Sequence, residues 1–215
     1  MLDYQKEFIQ YALECGVLKF GEFQLKSGRM SPYFFNTGLF NTGAQLGKLG
    51  KFYAQALLQA DIQIDMLYGP AYKGIPLVST ASIAYSQLKQ DIPFAFNRKE
   101  AKDHGEGGII VGTPLKGNVL ILDDVITAGT SVRESVEIIT NMQATAAGVL
   151  IALDRQEKGV DEKSAVQNVR EQFNIPVISI ISLPQIIEFL ELNGGSAKQL
   201  KIIKEYRLKY GIQLT

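Results

Sequence analysis

The chain has 215 residues, 46% of them hydrophobic, enough for one well-filled core with a small added subdomain and too little for two full α/β domains. Its 22 basic residues balance 22 acidic ones, which excludes the basic surface of a general nucleic-acid binder and means that an anionic ligand must meet a local basic site. The single cysteine, Cys15, excludes an internal disulfide and a Cys-based zinc cluster.

The N-terminal stretch MLDYQKEFIQYAL is amphipathic and predicts a helix over about 3–14, with Cys15 following on a buried face. It lacks a signal-peptide apolar region and cleavage site, and no apolar run reaches the length of a membrane span, so a cytoplasmic protein with no membrane partner is expected. Next, VLKFGEFQLKSGRMSPYFFNTG is punctuated by Gly and Pro and reads as short antiparallel strands, before a helix at about 42–59. Five β-rich apolar runs follow: IDMLYG (64–69), IPFAF (92–96), NVLILDD (118–124), GVLIALD (148–154) and IPVISII (175–181). The segments 74–89, 129–142 and 161–173 between them are long enough for crossover helices. An α/β fold with a mostly parallel central sheet flanked by helices is therefore expected. From Leu183 the chain reads as helical apart from the break NGGS at 193–196. The division expected is a single domain, 1–215, in which about 1–40 and the C-terminal helices cap a core of about 41–182.

In open parallel sheets ligands bind beyond the carboxyl ends of the strands, so the residues just after each strand carry the functional reading. The third main run ends in VLILDDVITAGTS, Val119 to Ser131. A helix starting near Gly129 would converge the amides of about 126–131 and the hydroxyls of Thr127, Thr130 and Ser131 on one point, aided by the helix dipole. Two carboxylates cannot share a phosphate cup. Asp123 and Asp124 are better placed for sugar hydroxyls, or for a bound Mg²⁺. An acidic strand end followed by a helix cap at Thr127 would explain Thr127 alone. A receiver-type phospho-acceptor also uses adjacent acids, but after its first strand, whereas this pair follows roughly the third of the main sheet.

The stretch RKEAKDHGEGG gathers Arg98, Lys99, Lys102 and His104 and runs into glycines, so it reads either as a solvated charge run or as a mobile basic loop over an anion. GPAYKG places Tyr72 and Lys73 on a tight turn, with an ordinary first-turn lysine as the plain alternative. Adjacent phenylalanines such as Phe34 and Phe35 belong in a core more often than in a site, and being neighbours in a strand they point to opposite faces.

The acid pair and the TAGTS loop resemble the phosphoribosyl-diphosphate (PRPP) signature of the type I phosphoribosyltransferases. FGEFQLKSGRMSPYFFNTG, GPAYKGIPL, FNRKEAKDHGEGG and ALDRQEKG extend the resemblance over nearly the whole length, to the orotate-using branch of that family of the bacterial or fungal type. The resemblance implies transfer of the 5-phosphoribosyl group from PRPP to orotate, with Mg²⁺, in pyrimidine synthesis. It implies PRPP contacts from Lys26, Tyr72, Lys73, Arg98, Lys99, Lys102, His104 and from Asp123, Asp124, Val125, Ile126, Thr127, Ala128, Gly129, Thr130 and Ser131. Orotate would be held by Phe34, Phe35, Thr127 and Arg155. Catalytic weight falls on Lys102, His104, Asp123 and Asp124, with His104 either a general acid or a hydrogen-bond donor to pyrophosphate. The metal would be bound mainly through PRPP, with water-mediated contact to Asp123 and Asp124. The resemblance also implies a homodimer whose lid loop is shared between subunits. Two other readings remain: a phosphoribosyltransferase for a different base, and a non-catalytic PRPP-sensing regulator. The second would need a nucleic-acid-binding face that the charge balance does not supply.

Overall fold

The computed structural model describes residues 1–25, 28–102 and 108–212. The chain opens with helix α1 (Asp3–Glu14), whose start is fixed by Gln5: its side-chain oxygen accepts from the Leu2 amide at 3.0 Å and its nitrogen donates to the Ile180 carbonyl at 2.9 Å. Strands β1 (Leu18–Gln24) and β2 (Met30–Phe35) then form an antiparallel hairpin with an irregularity between Phe20 and Phe23. After a 3-10 turn at Thr37–Leu39, helix α2 (Gly43–Gln59) begins with a reciprocal Thr42–Gln45 cap.

Six strands make the main sheet: β3 (Met66–Gly69), β4 (Phe94–Lys102), β5 (Gly108–Gly112), β6 (Asn118–Leu122), β7 (Thr145–Asp154) and β8 (Val177–Ser182). Their order is β5-β4-β3-β6-β7-β8. All neighbours pair parallel except β4 with β5, which are antiparallel. The crossovers are α3 (Gly74–Leu88), α4 (Thr130–Asn141) and α5 (Ala165–Phe173), and the chain ends in α6 (Leu183–Leu192) and α7 (Ala197–Tyr210).

Alternation along the strands builds two cores. On β6, Leu120 and Leu122 face a core shared with α1, α2, α3 and α6, whereas Val119 and Ile121 face one shared with α4 and α5. Each such fully buried side chain contributes about 1.5–3 kcal/mol. Helices α1 and α6 therefore lie in a layer on the sheet itself. Helix α7 packs on β2 of the hairpin, with the rings of Tyr33 and Tyr206 edge to face at 6.2 Å.

Two sequence expectations need correction. The stretch from Arg98 to Lys102 is strand and not loop, because β4 runs on through it and pairs with β5. Strand β5 was hidden because its core, Ile109 to Val111, is short and flanked by glycines, below the length at which alternation is legible. With β5 counted, the acid pair follows the fourth strand of the main sheet rather than the third.

Candidate active site

Strand order reverses between β3 and β6: β3 leads to β4 on one side, β6 to β7 on the other. A crevice opens at such a switch point beyond the carboxyl ends of the two strands. Both ends are unusual here.

Beyond β3 the chain turns through Gly69 to Gly74 so tightly that neither glycine could carry a side chain. A Cβ on Gly69 would lie 2.2 Å from the Gly74 carbonyl oxygen, and one on Gly74 would lie 2.6 Å from Cδ of Pro70. The Ala71 amide donates to Asn97 Oδ1 of β4 at 2.8 Å, and the Ala71–Tyr72 peptide is cis. Tyr72 projects into solvent, 69% exposed, with the Lys99 ammonium 5.3 Å from its ring centroid. Lys73 turns the other way. Its Nζ lies 2.6 Å from Oδ2 of Asp124, so the ends of β3 and β6 are joined across the switch point.

Beyond β6, Asp123 and Asp124 are 8% and 6% exposed. Their backbone continues the ladder: the Asp123 amide donates to the Leu150 carbonyl at 3.1 Å, the Asp124 carbonyl accepts from Ala152 at 2.9 Å, and the Tyr53 hydroxyl donates to the Asp123 carbonyl at 2.8 Å. The side chains differ in compensation. Asp124 accepts from the Thr37 hydroxyl at 3.1 Å and from its neighbour's amide, Val125, at 2.9 Å, in addition to Lys73. Asp123 accepts from the Asp124 amide at 2.8 Å, and no cation pairs with it among the described residues. Burial, then the charge of Asp124, push its carboxyl up to about 6, partly opposed by the Asp124 amide and the Ser131 hydroxyl.

The loop that follows is pinned at its base. Val125 packs against one core and Ile126 against the other, leaving Thr127 and Ala128 exposed at its crest. Gly129 has φ +72°, a conformation other residues adopt only with strain, and it turns the chain into α4. As the residue before the first turn it offers no side-chain cap. The leading amides of α4 are thus left for an external acceptor, at the positive end of the helix dipole. The loop, Thr130 and Ser131 thus lie in the chain directly after the two carboxylates.

The remaining sequence candidates lie on β4, on the hairpin, just past β7 and outside the described residues. Arg98 and Lys99 lie on β4, beside the β3 turn. Lys102 closes β4 opposite Gly108; Lys26 and His104 lie outside the described residues. Phe34 and Phe35 part as strand neighbours must: Phe34 sits 5.4 Å from the Phe23 ring within the hairpin, and Phe35 turns to Phe8 of the core at 6.3 Å. Arg155, just past β7, stacks its guanidinium 4.2 Å from the Tyr33 ring centroid. Its Nη2 lies 2.7 Å from Glu157 Oε1 and donates to Ser31 Oγ at 3.2 Å.

Sequence reasoning missed Thr37, Tyr53, Asn97 and Glu157. Glu157 alone carried a signal, an acid two residues beyond the candidate arginine. The other three act through contacts distant in sequence. Among the described residues no cluster of three or more His, Cys, Asp or Glu is placed to hold a metal, and no helix is long and apolar enough to cross a membrane.

Residues 38–180 match the phosphoribosyl transferase domain family. The chain is 56% identical over 212 residues to an orotate phosphoribosyltransferase of Thiobacillus denitrificans, covering 99% of this chain and 100% of that one. It is 58% identical over 213 residues to that of Pseudomonas savastanoi pv. phaseolicola, with the same coverage. The crystal structure of an orotate phosphoribosyltransferase from Francisella tularensis superposes with a TM-score of 0.87 at 46% identity, covering 95% of this chain and 99% of the other.

Proposed function

The chain belongs to the orotate phosphoribosyltransferases, and from that premise we propose that the crevice between β3 and β6 is where it acts. The enzyme transfers the 5-phosphoribosyl group of PRPP to orotate, giving orotidine 5′-monophosphate and pyrophosphate, on a type I phosphoribosyltransferase fold. In this reading the amides of 126–131, with Thr127, Thr130 and Ser131, hold the 5′-phosphate. Asp123 and Asp124 accept from the ribose hydroxyls. Tyr72, Lys73, Arg98, Lys99, Lys102, His104 and Lys26 surround the pyrophosphate, and Phe34, Thr127 and Arg155 hold the orotate ring and its carboxylate. Phe35 supports from the core side of the strand. The β1–β2 hairpin and α7 form the cap over the sheet. The observation that carries the proposal is the juxtaposition of two buried carboxylates with an uncapped helix start at the switch point.

The reaction breaks the bond from C1 of the ribose to the pyrophosphate oxygen and joins C1 to a ring nitrogen of orotate. Positive charge develops on the sugar in between. Orotate is already nucleophilic as the anion, so the protein's work is orientation, charge compensation and exclusion of water. Asp123 and Asp124 fix the ribose through its hydroxyls, and their negative charge lies on the side of the developing cation. Lysines and Arg98 offset the charge that accumulates on the leaving group. The ion pair of Lys73 with Asp124 must loosen for each partner to meet its part of PRPP.

The donor set suits Mg²⁺ carried by the substrate: two carboxylates and no third protein ligand among the described residues match an ion that keeps several waters and phosphate oxygens. When bound it would supply charge neutralisation to pyrophosphate, with Asp123 and Asp124 reaching it through water. A homodimer in which the lid carrying Lys102 and His104 serves the neighbouring subunit's site, and a cytoplasmic location, complete the reading.

The test is consumption of PRPP by purified protein with Mg²⁺ and orotate, uracil or hypoxanthine in parallel. Pyrophosphate release with orotate, and at least about a hundredfold less with the other two, is expected, because neither presents the carboxylate that Arg155 grips in this reading. Release with uracil or hypoxanthine at the orotate rate would assign a different base, and no release with any would favour a PRPP-binding regulator.

A further inference from the structure

Two guanidinium groups converge on one carboxylate beneath the hairpin. Glu157 Oε1 accepts from Nε of Arg155 at 3.0 Å and from the Tyr33 hydroxyl at 2.9 Å, and it lies 2.7 Å from Arg155 Nη2. Oε2 faces Nη1 of Arg29 at 3.6 Å. The Glu157 side chain is 11% exposed, those of Arg155 and Arg29 18% and 24%, so the cluster is largely shielded from water. Each guanidinium also lies over an aromatic ring: Arg155 over Tyr33 at 4.2 Å, Arg29 over Tyr210 of α7 at 4.4 Å. Arg29 is tied down further by donation to the Lys158 carbonyl at 3.2 Å, and Ser31, which receives Arg155 Nη2, donates in turn to the Tyr33 carbonyl at 2.7 Å.

The charge sum is decisive. Two cations share one anion, so the cluster keeps one uncompensated positive charge in a shielded place. Burial holds the Tyr33 phenol well above its ordinary range, so it stays a neutral donor to Glu157 and adds no second anion. Arg155 spends Nε and Nη2 on Glu157 and Ser31, and its Nη1 has no hydrogen-bond partner among the described residues. Left unanchored, an arginine side chain keeps rotamer freedom that a ligand would have to remove.

We propose that Glu157 is a positioning residue for the acceptor site: it locks Arg155 on the Tyr33 ring with Nη1 of the guanidinium free, and with Arg29 sets a net single positive charge matched to one carboxylate on a flat ring. This rests on the assignment of Arg155 to orotate made above. Glu157 touches no substrate in this scheme. Its effect is on how much of the orotate binding energy is used to order Arg155.

Glu157→Gln keeps the shape and removes the charge. The expected result is a rise in the orotate KM of at least about tenfold, since a charge-assisted hydrogen bond is lost, with the PRPP KM within about twofold and the melting temperature little changed. An unchanged orotate KM, or both KM values rising together with a lowered melting temperature, would overturn the proposal and leave Glu157 as a structural ion-pair partner. Should Glu157→Gln not fold, Tyr33→Phe removes only the hydroxyl donor to Oε1 and must raise the orotate KM selectively, by a smaller factor; no selective rise overturns the proposal by the same standard. Arg155→Lys separates the two layers of the reading. If it leaves orotate binding intact, the site assignment fails; if it weakens orotate binding while Glu157→Gln does not, only the positioning role fails.

Discussion

Replacing Lys102 by alanine is expected to lower turnover by about a hundredfold to a thousandfold while leaving the fold intact, the scale of losing one preorganised charge partner of a developing anion. The residue sits at the last position of β4, opposite Gly108 on β5, where the antiparallel ribbon extends past the parallel part of the sheet. The position is the end of a strand, so no folding penalty is expected. The leaving group carries several negative charges, and Lys73, on the β3 turn, is already engaged by Asp124. In the proposed reading the lysine at the end of the ribbon is the available reserve. Retained near-normal turnover would contradict this. If the ribbon serves the partner subunit, mixing Lys102→Ala with Asp124→Asn restores one intact site in each mixed dimer, about a quarter of wild-type activity after full exchange. No recovery after confirmed subunit exchange would place the lid in its own subunit's site.

Asp123→Asn is expected to do two opposite things: cut turnover by about a hundredfold or more, through a misplaced ribose, and stabilise the ligand-free protein. The second follows from the direction in which the carboxyl is displaced. Burial and the neighbouring Asp124 push it up to about 6 from its ordinary 3.8, so between those pH values the folded state holds a proton that the unfolded chain has already released. Stability contributed by this group is therefore present below about pH 4 and is lost as pH rises through about 6. Above that the buried charge costs up to about 3 kcal/mol, because each pH unit between the two values is worth about 1.4 kcal/mol. The neutral amide removes the cost while still accepting from the Asp124 amide. A rise of roughly 2–8 °C in the melting temperature at pH 7.5 is expected, with a flatter dependence of stability on pH between 4 and 6. A lower melting temperature, or an unchanged pH slope, would show that the Asp123 charge is compensated by more than the Asp124 amide and the Ser131 hydroxyl.

How much of this the sequence disclosed depends on whether local pattern or distant packing decides. The crossover helices, the start of β4 and the parallel strands β3, β6, β7 and β8 were legible because buried strands read as continuous apolar runs and helices as periodic ones. The ribbon was not. In β4 the charges of RKEAK mask an extended segment whose pairing depends on β5, and β5 offers only three apolar residues between glycines. The acid pair and the loop into α4 could be read because the glycine, the hydroxyls and the carboxylates stand next to one another in the chain. The ion pair of Lys73 with Asp124 could be anticipated only from the topology, since the switch point is what brings two strand ends 51 residues apart into contact. Thr37, and the partners of Glu157 beyond the nearby arginine, were out of reach for a different reason. Thr37 is placed by the hairpin and the turn after it, and Glu157 by a stack of Tyr33, Arg29 and Tyr210 drawn from both ends of the chain.

A structure of the protein with PRPP and Mg²⁺ bound would bear on all of this at once. The account predicts the 5′-phosphate within about 3 Å of amides between Ile126 and Ser131, and the ribose hydroxyls on Asp123 and Asp124, with Lys73 drawn away from Asp124 toward the pyrophosphate. A phosphate seated elsewhere, or the Lys73–Asp124 pair intact with both carboxylates turned from the sugar, would contradict it.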